Sequence, residues 1–363
     1  MRTTVTILRA SFAATAAAVL WLGSVSAQMQ HQHGRDAACN EPELRCATKV
    51  TPAFAPDGTL WLAWMAGGRI SVASSRDAGK TFSTPVSATP EPLNLDWGPD
   101  ARPKIAIDGK GGIALAFSVF RDKAFNGQVL TTRSDDGGKS FAKLQPITAS
   151  NESQRFEAIG FDNNGALFAA WLDKRNRIPA RAANKKYEGA ALFFASSSDG
   201  GASYPDARMA IDNTCECCRI ALAFDPSNRP VVVFRNIFEG GIRDHALIAF
   251  DGAMPGEPRR VAVDDWQIAA CPHHGPSLAV SSNGAYHVTW FTNGKARKGL
   301  FYAHSRDGGK SFSVPLAIGD AKRAPSRPFV QAGPQGLAMA WKEFDGERTR
   351  VQAMTSHDDG QSW

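Results

Sequence analysis

Short apolar runs separated by tight polar turns recur along the chain in one fixed order. Ile105-Ala-Ile-Asp108 passes through a turn into Gly112-Ile-Ala-Leu-Ala-Phe117, and Leu278-Ala-Val280 into Tyr286-His-Val-Thr-Trp290. Ala221-Leu-Ala-Phe-Asp225 leads to Pro230-Val-Val-Val-Phe234, and Phe161-Asp162 to Leu167-Phe-Ala-Ala-Trp171. A third run follows, as in Gly299-Leu-Phe-Tyr-Ala303. Such short runs, rich in β-branched and aromatic residues and bounded by Gly, Asp, Asn and Pro, predict strands in hairpin succession. The 33 glycines and 21 prolines point the same way, toward turns rather than long helices.

The third strand of most units runs into a motif of the form Ser-x-Asp-x-Gly-x-x-aromatic. Its copies are Ser75–Phe82, Ser134–Phe141, Ser197–Tyr204, Ser305–Phe312 and Ser356–Trp363. The aspartates, Asp77, Asp136, Asp199, Asp307 and Asp358, stand 59, 63, 108 and 51 residues apart. The 108-residue step is two units with one motif lost, and Phe250-Asp251-Gly252 is its remnant, so six units are expected. In this motif the Asp accepts from nearby backbone N–H groups. The Gly takes a conformation a Cβ would forbid, and the aromatic packs between units. It builds a turn, not an active site. Three strands before the motif and one after make a four-stranded unit, and a period near 50 residues with this content means a propeller.

These motifs resemble the Asp boxes, or BNR repeats, of the sialidase superfamily. The resemblance covers about residues 50–363 and implies an all-β, six-bladed β-propeller with four-stranded antiparallel blades, here expected over 44–363. Because Trp363 ends the final motif, a segment within Leu44 to Lys49 is expected to supply the last outer strand and cover the sheet edge. The fold does not decide the function. Sialidases resemble one another in three substrate-gripping arginines, an Asp acid/base and a Tyr nucleophile with a Glu partner. Where the first arginine motif belongs, this chain reads Lys49-Val50-Thr51-Pro52. Arg219 stands where a second could sit, His273-His274 opens the fifth unit, and Tyr187-Glu188 is the nearest nucleophile-like pair. Arg102, Arg155, Arg219 and Arg327 read equally as salt-bridged residues at strand starts. Sialidase activity is therefore not the expectation.

Two segments stand out chemically: Cys215-Glu-Cys217-Cys218-Arg219 and Cys271-Pro-His273-His274-Gly275. Each directly precedes the first strand of its unit. First strands of a propeller line the axis and run the same way, so their starts gather at one mouth of the channel. Units four and five are neighbours, so the two segments should meet. Cys215, Cys217, Cys218, Cys271, His273 and His274 then offer sulfur and imidazole donors suited to Cu(I), Zn(II) or Cu(II). In an extended chain Cys215 and Cys217 face one way and Cys218 the other, so only a subset need ligate. Disulfides are the alternative, with Cys39 bridging Cys46 and Cys271 tied to the Cys215–Cys218 group, and thiol redox catalysis is a third. His287, inside a strand, reads as packing. Trp97 and Trp266 precede units two and five and suit sugar stacking or blade packing.

Arg2 and Arg9, the apolar stretch from Ala10 to Leu22 and the small residues before Gln28 predict a signal peptide over 1–27. A flexible segment, 28–43, follows with donors at Met29, His31 and His33. Export to the periplasm or beyond places the cysteines in an oxidising compartment, where copper is the expected metal and zinc the alternative. The chain carries 41 basic against 35 acidic residues; setting aside the leader's two arginines leaves 39 against 35, or +4. No basic run suggests nucleic acid, and no later segment suggests a membrane span. The sequence-level expectation is an exported, monomeric, copper-binding propeller without catalytic residues. A sialidase-like hydrolase or glycan binder and a protein-interaction scaffold are the alternatives.

Overall fold

The apolar runs become strands that stack into radial sheets, as the computed structural model describes them over residues 41–363. The expected leader, residues 28–40 and Cys39 lie outside the described residues. Blade one pairs Lys49–Phe54, Leu60–Ala66, Arg69–Ser75 and Val86–Ser87 in chain order. Blade two is Lys104–Ile107, Ile113–Phe120, Gly127–Ser134 and Gln145–Pro146, and blade three Gln154–Phe161, Leu167–Asp173, Ala190–Ser197 and Arg208–Thr214. In blade four Ala221–Phe224, Pro230–Arg235 and His245–Asp251 are edged by both Met254–Pro255 and Arg259–Arg260. Blade five is Ser277–Val280, Tyr286–Asn293, Lys298–Ser305 and Leu316–Ile318. Blade six carries Ser326–Gly333, Gly336–Phe344 and Thr349–Ser356, three strands among the described residues. All pairings are antiparallel, and the sheets form a six-bladed β-propeller. The first strand of every blade contributes to one axial cavity: Thr51, Ile105, Ile159, Leu222, Leu278 and Phe329 all line it.

The expected closing strand does not form. Leu44–Cys46 is a 3-10 turn, and Cys46 packs on Trp64, Ala66 and Ala73 of blade one. Trp64 Nε1–H donates to the Pro42 carbonyl at 3.0 Å, which holds this segment over blade one rather than along blade six.

The second strand of each blade fills the space between sheets. It places an aromatic ring at the same position in all six: Trp64, Phe117, Trp171, Phe234, Trp290 and Trp341, each buried. Fully burying such a side chain contributes roughly 1.5–3 kcal/mol. The indole N–H groups are not left unpaired: Trp171 donates to Asp173 at 3.1 Å, Trp290 to Asp264 at 2.7 Å and Trp341 to Glu343 at 2.9 Å.

The Asp boxes form the turns expected of them. In the first, the Ser75 hydroxyl donates to Asp77 at 2.7 Å and accepts from Gly79 N–H at 2.8 Å. Asp77 also accepts from the Thr81 N–H at 2.9 Å and the Thr81 hydroxyl at 2.6 Å. The glycines make the turns possible and bring blades together. Gly360 has φ +82°, and a Cβ there would lie 1.8 Å from the Tyr302 hydroxyl of blade five. The motif aromatics pack between units: Trp363 meets Tyr302 edge-on at 5.1 Å, and Phe312 joins the cluster shared by blades four and five. In blade four, Phe250-Asp251-Gly252 is a plain hairpin turn with Phe250 buried.

Hydrogen bonds from the Thr81 hydroxyl and N–H, with one from Ser75, hold Asp77 at about 2. Led by the hydroxyls of Ser140, Ser311 and Ser362, the same pattern holds Asp136, Asp307 and Asp358 below the usual carboxylate range. A depressed folded-state value means that stability is present above the unfolded value and is lost as protons return. For Asp77 that window runs from 3.8 down to about 2. Converting Asp77, Asp136, Asp307 and Asp358 together to Asn is therefore expected to lower the melting temperature at neutral pH. It should also flatten the further fall between about pH 4 and 2. Calorimetry at stepped pH checks this; parallel acid limbs for the two proteins would refute it.

Candidate functional site

Two connectors between blades carry the chemistry that the sequence singled out. One leaves the outer strand of blade three at Thr214 and enters blade four at Ala221; the other leaves blade four at Arg260 and enters blade five at Ser277. Both reach the start of a first strand, so both lie at the same mouth of the channel. The first is pinned by the Thr214 hydroxyl and the Cys215 N–H, which donate to the Arg235 carbonyl at 2.8 and 3.2 Å. A Lys174–Glu216 ion pair at 2.7 Å ties it to the loop of blade three that carries a short helix, Arg177–Ala182. In the second, Asp244 accepts from the backbone N–H groups of Asp264, Asp265 and Trp266 at 2.9, 2.9 and 3.1 Å.

The two connectors touch through their backbones. A Cβ on Gly275 would lie 2.3 Å from Arg219 Cγ and 2.5 Å from the Arg219 carbonyl oxygen. One carboxylate joins them. Asp100, with a side chain wholly shielded from solvent, accepts from Arg219 N–H at 3.2 Å, Arg219 Nη1 at 2.8 Å and Gly275 N–H at 2.8 Å. Arg327 Nη1 of blade six is a fourth donor at 2.5 Å. Arg327 also donates to the His273 carbonyl.

Within this frame Cys215, Cys217 and Cys218 are buried, and their sulfurs all lie within 4.8 Å of one another. Cys215 Sγ is 3.5 Å from Cys217 Sγ, which is 3.9 Å from Cys218 Sγ. The expected opposition of Cys218 to its neighbours does not arise, because the segment bends instead of running extended. Cys271 is exposed and its sulfur hydrogen-bonds with Cys217. All four are free thiols, so the bridge to Cys271 is not formed, whereas Cys46 is disulfide-bonded. Hydrogen bonds from Cys217 and Cys218 push the Cys215 thiol well below its usual range, helped by the Arg235 and Arg243 guanidiniums. Cys217, as the shared donor, is pushed up, and Cys271 is lowered by its bond with Cys217. Arg243 Nη1 donates to Cys215 Sγ at 3.4 Å.

His273 and His274 stand beside this triplet but are not in the group of mutually close donors. His274 stacks on Phe291 at 4.1 Å, and burial lowers it to about 4, so the ring is neutral near pH 7. The Nδ1 atoms of both histidines are buried without a partner, and so are both ring nitrogens of His245. His245, Arg235, Arg243 and Asp100 belong to the same mouth and were missed at the level of sequence. Arg243-Asp244-His245 offered only a charged triplet after a Gly-Gly turn, and Asp100 only an acid two residues before Arg102. His287 is packing, as read: its Nδ1 meets the Tyr302 hydroxyl at 2.8 Å and its Nε2 meets Asp359 at 3.1 Å.

The glycosidase-like candidates are occupied elsewhere. Tyr187 donates to Asp212 at 2.7 Å, and burial together with that carboxylate raises its hydroxyl, the reverse of what a nucleophilic phenolate requires. Arg155 pairs with Asp96 at 2.6 Å, and Arg219 and Arg327 pair with Asp100. Trp97 is 60% exposed, while Trp266 is only 6% exposed and packs against Arg235 and Phe291.

No protein-family model and no curated protein matches the chain. Solved structures do. An intramolecular trans-sialidase from Ruminococcus gnavus is 12% identical with a TM-score of 0.59, covering 87% of this chain and 96% of that one. The Penicillium chrysogenum alpha-L-arabinanase is 14% identical at a TM-score of 0.58, covering 87% and 95%. A protein of unknown function from Dyadobacter fermentans is 17% identical at 0.52, covering 72% and 80%. These likenesses show the propeller fold. Among the described residues no helix is long and apolar enough to cross a membrane.

Asp100→Asn removes the charge that two buried or half-buried arginines share, and breaking such a cluster from one side costs about 3–5 kcal/mol. Urea unfolding is expected to show that loss; a change under about 1 kcal/mol would contradict the joining role. Alkylation of the native, reduced protein should label Cys271 first and Cys215, Cys217 and Cys218 only on unfolding. Peptide mass spectrometry reads the order, and early labelling of Cys215 would contradict the burial.

Proposed function

We propose that this propeller binds copper, as Cu(I), through Cys215, Cys217 and Cys218, with Cys271 beside them on the solvent side. The observation that carries the reading is the buried triplet of free thiols with sulfurs within 4.8 Å of one another. Three soft donors converging on one point suit a soft monovalent ion. Structural zinc takes four donors, and Zn–S bonds of 2.3 Å put tetrahedral sulfurs roughly 3.8 Å apart on every edge. Here the fourth sulfur, Cys271, falls outside the mutually close group, which favours copper over zinc. Three thiolates around Cu(I) carry a net charge of −2, and Arg235 and Arg243 supply the opposite charge next to them. His273 and the neutral His274 are accessory donors. The expected leader makes this an exported protein, periplasmic or secreted.

The second reading is a glycan-directed propeller, and the fold shared with a trans-sialidase and an arabinanase favours it. Against it, two of the arginines at the mouth, Arg219 and Arg327, are already engaged by Asp100. Release of a fluorogenic leaving group from a sialoside would establish it.

The test is a Cu(I) titration of the anaerobically reduced protein against a chromogenic chelator. One ion per chain is expected, with Cys217→Ser weakening binding by at least roughly 100-fold and His274→Ala by less. Zinc should bind more weakly under the same conditions. Unchanged copper affinity in the Cys217→Ser protein, or no uptake by the wild type, would overturn the assignment.

A further inference from the structure

The axial cavity holds more positive charge than the chain neutralises. Arg102 and Lys104 stand at the start of blade two, Arg219 before blade four and Arg327 in blade six, and they feel one another's charge. Two carboxylates answer these four cations. Asp100 is saturated by donors from Arg219, Gly275 and Arg327. Glu157 accepts the Ser118 hydroxyl at 2.6 Å and faces Lys104 at 3.9 Å. Lys49 also faces Arg327 and Asp100, so the balance around the cavity is positive.

Arg102 is the cation left over. Among the described residues it makes no ion pair and no side-chain hydrogen bond, and its Nε is buried without a partner. Burial, then the nearby Arg219, lower the guanidinium to about 10 against the pull of Asp100, so it remains charged at neutral pH. Buried charges are paired in stable proteins, and a guanidinium offers five donors in a planar fork that suits an oxyanion. Arg102 and Lys104 both line the cavity, together with Arg219, Thr51 and Ser277. Its volume is about 170 Å³, below the roughly 300 Å³ at which pockets begin to take drug-sized ligands. A compact ion fits it.

We infer that the axial cavity is a binding site for a small oxyanion, held by Arg102 and Lys104 and separate from the thiol cluster. The shared chemistry is that of sulfate, phosphate or a short carboxylate. A dianion matches the surplus charge and should bind more tightly than a monoanion.

The experiment is calorimetric titration of the whole protein with sulfate, phosphate and acetate. It is run in a buffer whose only other anion is bulky, with thermal melts alongside. One equivalent of a dianion is expected, bound at least about tenfold more tightly than acetate. Arg102→Met keeps the side-chain bulk and removes the charge. It should abolish binding and raise the melting temperature in oxyanion-free buffer, because a half-buried cation with no counter-ion has been replaced by an apolar group. A mere packing role predicts the opposite shift in melting temperature. If none of the three anions binds the wild type, or if Arg102→Met binds them unchanged, the site does not exist. Cu(I) uptake by Arg102→Met should remain at one equivalent, so failure here and failure of the copper reading are told apart.

Discussion

Everything at the mouth of this propeller depends on the carboxylate of Asp100. Its donors come from residues 119, 175 and 227 positions further along the chain. Two of them, Arg219 and Gly275, directly follow the sulfur- and imidazole-bearing stretches, being adjacent to Cys218 and His274. A single shielded anion thus draws both connectors to one point, and Gly275 lets their backbones approach as no larger residue would. The thiol triplet follows from that convergence together with the bend between Thr214 and Ile220. Placing four hydrogen bonds on one carboxylate also keeps its charge satisfied out of water, where an unpaired one would not persist.

The architecture was legible because its determinants are local and repeated. Each Asp box closes within about eight residues, so Ser75 and Asp77 can be read as partners without knowing anything distant. The buried aromatic of each second strand is as regular, at the fifth residue in blades one to five and the sixth in blade six, from Trp64 to Trp341. The meeting of Cys217 with Cys271 was legible too, since it follows from the direction of first strands in a ring. Asp100 was not, because one acid among 35 has no local pattern that marks it as a hub. Nor was the fate of Leu44–Cys46: the choice between blade six and the face of blade one is made by Trp64 and the Pro42 carbonyl, a contact across 22 residues with no strand pattern behind it.

The expectation about Cys218 failed for a related reason. Side-chain alternation holds only while the backbone is extended, and the outer strand of blade three ends at Thr214. Past that point the chain must turn from the rim of one sheet to the axis of the next. The bend that makes this turn brings three consecutive-or-alternate thiols onto one side. The geometry that a metal needs therefore arises from the connection itself.

The mouth is unusual in how its charges divide. Toward the thiols, Arg235 and Arg243 face Cys215, with no carboxylate hydrogen-bonded to either guanidinium among the described residues. Toward the axis, Arg219 and Arg327 are bound by Asp100 while Arg102 is not bound at all. Buried cations without an anion are unfavourable, so each uncompensated group implies a negative partner supplied from elsewhere. On the thiol side the proposed partner is the charge of thiolates around a soft cation; on the axial side it is the proposed oxyanion. One physical argument, the cost of leaving a shielded charge without a counter-charge, therefore underlies both proposals and gives them opposite ligands.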